Sequence, residues 1–308
     1  MVDTDTFLTT LYVMVDDFCK SELSLEKEPG PEAALSKSEV LTLSIFSQWS
    51  RFRNQRDFYR FAEQKLRDAF PTLPNRSQFN RLARKHRAAT VAFFLHLVEM
   101  LQARHVLYEI LDTSGIPVRN VKRRSHGWLA GMANIGWCTR IGWFNGFRLL
   151  IAVNPEGAIT GFGFGEGSAK DQPLAETMLA LRQQSHSPLP SVGRPALGPY
   201  VADTGFEGEV RHRRWRLLYG ADVICHPKSS SRKAWPRAWR RWLHHIRQMV
   251  ETVYAKLMDF FRLDKERPHT LDGFQANQAT KMALHNFCIW LNKQLGRESL
   301  AFADLLGW

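Results

Sequence analysis

Three acidic residues stand in settings that suit chemistry: Asp112 in LDTSG, Asp203 in YVADTG, and Glu251 in RQMVE. Asp112 closes a run of strand formers from Val106, and Asp203 closes the short run that begins at Pro199. In open α/β sheets, reacting groups gather just outside the carboxyl ends of strands. A lone Asp before a small polar turn more commonly caps that turn, and Ser114 and Thr204 read as turn residues. Two such Asp on adjacent strands are a different matter. Like charges that close are costly unless a cation bridges them, so the pair points to a divalent metal.

The elements that must position these acids follow from periodicity. From Val106 the order reads β-β-β-α-β-α-β-α, and in the α/β fold this order implies, the first and fourth strands lie side by side. FRLLIAV (Phe147–Val153) and AITGFGF (Ala158–Phe164) form a hairpin across the turn Asn154–Gly157. Gly127–Gly146 reads as a further hairpin or loop. Asp171 and Pro173 open a helix, with Asp171 as its N-cap. A helix over Glu207–Tyr219 and a strand over Ala221–Cys225 lead into a long helix from about Pro236 to Phe261. On it, Trp239, Trp242, Ile246, Met249, Val250, Val253 and Leu257 recur at three and four, a stripe that packs on the sheet and makes the tryptophans core residues. Arg240, His244, Arg247 and Glu251 form a polar stripe beside it. Glu251 pairs locally with Arg247 for about 0.3–0.5 kcal/mol, or reaches the sheet edge as a third carboxylate, or both, with Arg247 orienting it.

Residues 1–104 read as all-helical. Ser36 and Glu39 spell a capping box, the segment around Glu26–Ala34 is a linker, and Arg76, Arg81, Arg84 and Lys85 make one helix basic. That helix either reads DNA or carries a solvated basic face. The expected division is therefore a helical domain over 1–104, a candidate DNA-binding domain, and a catalytic α/β domain with C-terminal helices over 105–308.

Charge narrows the partner. Forty-two Lys and Arg against 30 Asp and Glu give a formal net charge of +12 across 308 residues. Such an excess favours a polyanion, because neutralising phosphates releases counterions. The basic residues concentrate at Arg123 and Arg124 and at Lys228, Arg232, Lys233, Arg237, Arg240, Arg241 and Arg247, with no acid from Val223 to Val250. Carboxylates for metal beside cations for a backbone suit a phosphodiester substrate. The four cysteines fall at no zinc spacing and read as free thiols of a reducing compartment. The acidic MVDTDTF start is not a signal peptide, and Val91–Leu101 is too short to span a bilayer, which together predict a cytoplasmic protein.

LDTSG, YVADTGFEG and RQMVETVYAKL, over strands in this order, resemble the DDE-type transposases of bacterial insertion sequences. The last segment is similar to their R-x-x-x-E helix signature, with His244 where the signature has Tyr and Lys256 near its Lys. The resemblance spans about Val106–Leu295. It implies a ribonuclease-H-like domain, with a mixed five-stranded sheet flanked by helices, and two Mg2+ or Mn2+ ions held by Asp112, Asp203 and Glu251. It further implies DNA contacts through Arg123, Arg124, Arg240, Arg241, Arg247 and Lys256, with His244 in support. The implied activity is metal-dependent cleavage at transposon ends followed by strand transfer, by two-metal in-line displacement on double-stranded DNA. The protein would act as a homodimer or higher oligomer, associated with the nucleoid. Alternatives are a ribonuclease-H-like nuclease that does not join strands, and an inactive DNA-binding relic. Too few positions separate Asp203 from Glu251 for a large inserted domain.

Overall fold

The computed structural model describes residues 1–23, 33–122, 129, 131–227, 235–265 and 267–308. Along the chain run helices α1 (Thr4–Glu22), α2 (Lys37–Phe46), α3 (Gln55–Lys65), α4 (Arg76–Lys85) and α5 (Arg87–Met100). Strands β1 (Glu109–Arg119), β2 (Asn134–Cys138), β3 (Gly142–Val153) and β4 (Ile159–Glu166) follow. Then come α6 (Asp171–Arg182), β5 (Tyr200–Ala202), α7 (Glu209–Tyr219), β6 (Val223–Cys225), α8 (Arg237–Asp259) and α9 (Leu271–Gln294).

The chain divides into two compact units. One holds residues 1–97, 259–262 and 270–308, and the other 98–258 and 263–269. In the first, side-chain caps start the helices as their sequences require: Ser36 and Glu39 complete a capping box on α2, and Asn54 and Asn75 cap α3 and α4. The sequence reading attached the C-terminal helices to the sheet, whereas α9 packs among these N-terminal helices. The reason is its burial on every side. Phe287 meets Phe7 at 5.2 Å between ring centroids, and even Lys281 is buried, donating to the Gln48 side chain at 2.9 Å and the Phe261 carbonyl. A helix without a solvent face needs neighbours all round.

The second unit is built on one mixed sheet. Its central order is β4-β3-β1-β5-β6, with β2 pairing the first half of β3 on the edge where β4 pairs the second half. β3 runs antiparallel to β1, β2 and β4, while β5 and β6 run parallel to β1. This is the ribonuclease-H-like arrangement, with first and fourth core strands adjacent as the element order required. Leu111, Leu150, Ala152, Tyr200 and Ala202 share one buried cluster with Ala175, Met178 and Leu179 of α6 and Trp215 of α7. Strand alternation therefore turns Ile110, Asp112 and Ser114 to the opposite face.

Candidate active site

β1 does not stop at Asp112. It continues through Thr113, Ser114 and Gly115 to Arg119, held by antiparallel pairing to β3 from Ile110↔Val153 to Arg119↔Asn145. Ser114 is thus a buried strand residue and not a turn former. What does stop near Asp112 is β5: its parallel pairing with β1 ends at Leu111↔Ala202. Asp112 and Asp203 are each the next residue after that last pair, which makes them neighbours across the two strands. Asp203 ends its strand by capping a 3₁₀ turn over Thr204–Phe206, its Oδ1 accepting from the Thr204 N–H at 2.6 Å and hydroxyl at 3.0 Å. Thr204 keeps its reading as a turn residue.

Glu251 comes from α8, whose buried residues Leu243, Ile246, Val250, Val253, Tyr254 and Leu257 recur at helical spacing. The Arg247 guanidinium lies between two acids, Nη1 3.3 Å from Asp203 Oδ1 and Nη2 3.9 Å from Glu251 Oε1. It therefore draws the helix acid and the strand acid toward one cation. Desolvation pushes the Asp112 carboxyl up to about 7, and the Asp203 charge adds to this. The Arg247 and Arg140 guanidiniums and the Thr113 N–H offset it only in part.

Two site residues escaped the sequence reading. Tyr254, one turn beyond Glu251, is buried and places its hydroxyl 3.1 Å from the carbonyl oxygens of both Asp112 and Leu149. Arg140, from the turn between β2 and β3, stacks its guanidinium 5.2 Å from the Tyr254 ring centroid and donates to the Glu251 carbonyl at 3.5 Å. Tyr254 carried a signal, since it continues the apolar stripe with a polar tip. Arg140 carried none, because its place depends on a hairpin turn meeting a helix 111 residues further along the chain.

The donor set is that of a hard divalent cation: carboxylate oxygens, one of them desolvated and short of positive charge. Among the described residues, no three acidic, His or Cys side chains stand close enough together to hold one ion as they are. Arg247 supplies the positive charge between Asp203 and Glu251 instead. The residues fit Mg2+ or Mn2+ by chemistry, with Asp112, Asp203 and Glu251 the ones that would hold it.

The other expected residues divide. Arg240, Arg241 and His244 are exposed on α8, Arg240 and His244 in line with Arg247 and Glu251. Lys256, five residues past Glu251, lies roughly 140° around the helix from it, off that stripe. Arg123 and Arg124 lie outside the described residues, as do Lys228, Arg232, Lys233 and most of the linker. Trp239 and Trp242 are 61% and 48% exposed, contrary to their reading as core. Burial on α8 begins only at Leu243, so the earlier turns carry the apolar period into solvent, where Trp239 meets Trp235 edge-on. Nor does Asp171 cap its helix. Lys170 takes the cap position, and the Asp171 carboxylate accepts instead from Thr113 Oγ1 at 2.5 Å and Arg148 Nη1 at 3.2 Å.

Residues 110–287, more than half the chain, match a family model described as a transposase DDE domain. No curated protein matches. Among the described residues, no helix is long and apolar enough to cross a membrane.

Proposed function

The chain belongs to the transposases with a DDE domain, and on that premise we propose that it cuts DNA at the ends of a mobile element and joins the freed ends to a target. One observation carries this reading. Asp112 and Asp203 both follow the last in-register pair of the parallel strands, and Arg247 ties Asp203 to Glu251. Carboxylates from three elements are thus directed to the same end of the sheet, an arrangement that supports a shared cation site.

Asp112, Asp203 and Glu251 would hold the metal, and Mg2+ or Mn2+ would supply an activated oxygen nucleophile and stabilise the leaving oxygen of an in-line displacement. The chain's own contribution is placement. The strand pairing fixes the two Asp relative to each other, and the buried stripe of α8 presents Glu251 from above. Arg240, Arg241 and His244 line the exposed approach and suit a phosphate backbone, whose contacts set register without reading sequence. The net charge of +12 supplies the long-range attraction. The elements are those of a bacterial insertion sequence, and the protein works as a homodimer or higher oligomer on DNA, near the nucleoid.

Incubating the purified protein with Mg2+ and a plasmid carrying the DNA that flanks its coding region tests this. The expected products are strand breaks at the element's ends and joined target DNA. Breaks without joining leave a nuclease. Absence of both with either Mg2+ or Mn2+ overturns the reading.

A further inference from the structure

Asp112 and Glu251 reach the site from a strand and a helix that share no hydrogen-bond ladder, so something must fix their separation. Packing alone fixes it loosely, since apolar contacts are non-directional. The Tyr254 hydroxyl is directional. Burial, with the Asp112 charge adding to it, raises its pKa well above the usual tyrosine value, so it remains a donor to the Asp112 and Leu149 carbonyls. A phenylalanine would fill the same space. The hydroxyl adds a tether from the helix to the backbone of the residue that bears the strand acid.

The tether bears on Glu251 because residues three apart on a helix share a face. Arg140 closes the loop from the other side. It lies over the same ring, donates to the Glu251 carbonyl, and its charge reaches the Asp112 carboxyl. The backbones of both acids are thus linked through one aromatic ring from α8 and one guanidinium from the β2–β3 turn.

We propose that Tyr254 is a positioning residue which, with Arg140, sets the spacing of the Asp112 and Glu251 backbones so that their carboxylates can serve one divalent-cation site. This rests on the metal-ligand reading of those acids. Neither residue touches the reacting atoms; both act through the groups they hold. Partners of this kind around metal ligands typically change affinity by about 10–100-fold.

The test is Mn2+ binding by the full chain without DNA, followed by the electron paramagnetic resonance signal of the free ion. Tyr254→Phe should fold as the wild type does and bind DNA equally in Ca2+, while its Mn2+ affinity falls about tenfold. Cleavage should lose kcat with KM for DNA unchanged, and recover in part at raised Mn2+. Arg140→Gln, a surface change that spares the fold, should weaken Mn2+ binding less. The double variant should lose less than the product of the two single losses, because the residues act through one ring. Mn2+ affinity within twofold of wild type in both single variants overturns the proposal while leaving the ligand assignment standing. A wild type that binds no Mn2+ overturns both. Should Tyr254→Phe fail to fold, unchanged Mn2+ affinity in Arg140→Gln refutes the shared brace.

Discussion

Glu109 and Asp112 lie three residues apart on β1, on opposite faces of one sheet, and meet opposite fates. Glu109 is sealed in: its Oε2 accepts from Arg182 Nη1 at 2.7 Å, and both side chains are 1% exposed. Arg182 is in turn anchored by the Val192 carbonyl at 2.7 Å and the Tyr200 hydroxyl at 3.0 Å. On the other face, Arg247 is shared between Asp203 and Glu251 at 3.3 and 3.9 Å, with those acids 43% and 45% exposed. Asp112 beside them is pushed up to about 7. The pairs use the same chemistry for different ends. A short, buried pair ties a helix to a strand, whereas a stretched cation serving two half-exposed acids leaves negative charge uncompensated and available to a ligand.

The largest contrast should appear in activity. Asp112→Asn, Asp203→Asn or Glu251→Gln is expected to cut strand cleavage on the order of 10⁴-fold, roughly 5 kcal/mol of transition-state stabilisation, while leaving DNA binding intact. Retained cleavage in any one of them removes that residue from the site. On the Glu109 face the expectation inverts. Arg182→Ala strands a buried carboxylate and should cost about 3–5 kcal/mol in urea unfolding. A loss below about 1 kcal/mol would mean that the two faces do not differ as described.

A smaller effect separates Asp112 from an ordinary surface acid. Its pKa is higher in the folded metal-free protein than its ordinary value of 3.8. The folded state therefore holds the proton more tightly, and the resulting stabilisation is whole below about 4 and lost as pH rises through about 7. Asp112→Asn removes the charged form, so its melting temperature without metal should exceed that of the wild type at pH 8, exceed it by less at pH 5, and converge with it as pH falls to about 4. A difference that does not change with pH would show that the carboxylate is not desolvated. Metal should erase the advantage by favouring the charged wild type.

Much of the site face was legible, because strand order fixes neighbours: the β-β-β-α-β sequence puts the fourth strand beside the first, and with it Asp203 beside Asp112. The long helix was legible from its stripe. The extent of β1 was not. Thr-Ser-Gly-Ile-Pro reads as a turn, yet Gly115 serves packing, since a Cβ there would meet the Phe144 ring at 2.6 Å. The Glu109–Arg182 pair has no local trace, because its partners are 73 residues apart and meet only through the folded sheet. Trp239 and Trp242 misled for the converse reason. Helical period marks which residues share a face, and says nothing of whether the sheet extends far enough to cover it.

The smallest effect is the sharpest test of the comparison, because it pits two arginines of equal charge against each other. Arg247→Gln should change stability by less than about 1 kcal/mol, since its contacts are long and its partners half-exposed to screening solvent. The same variant frees Asp203 and Glu251 from their shared cation, so Mn2+ should bind the protein alone at least as tightly as it binds the wild type. If Arg247→Gln instead destabilises as Arg182→Ala does, the site face is a structural ion network like its counterpart, and the carboxylates have no charge to spare for a metal.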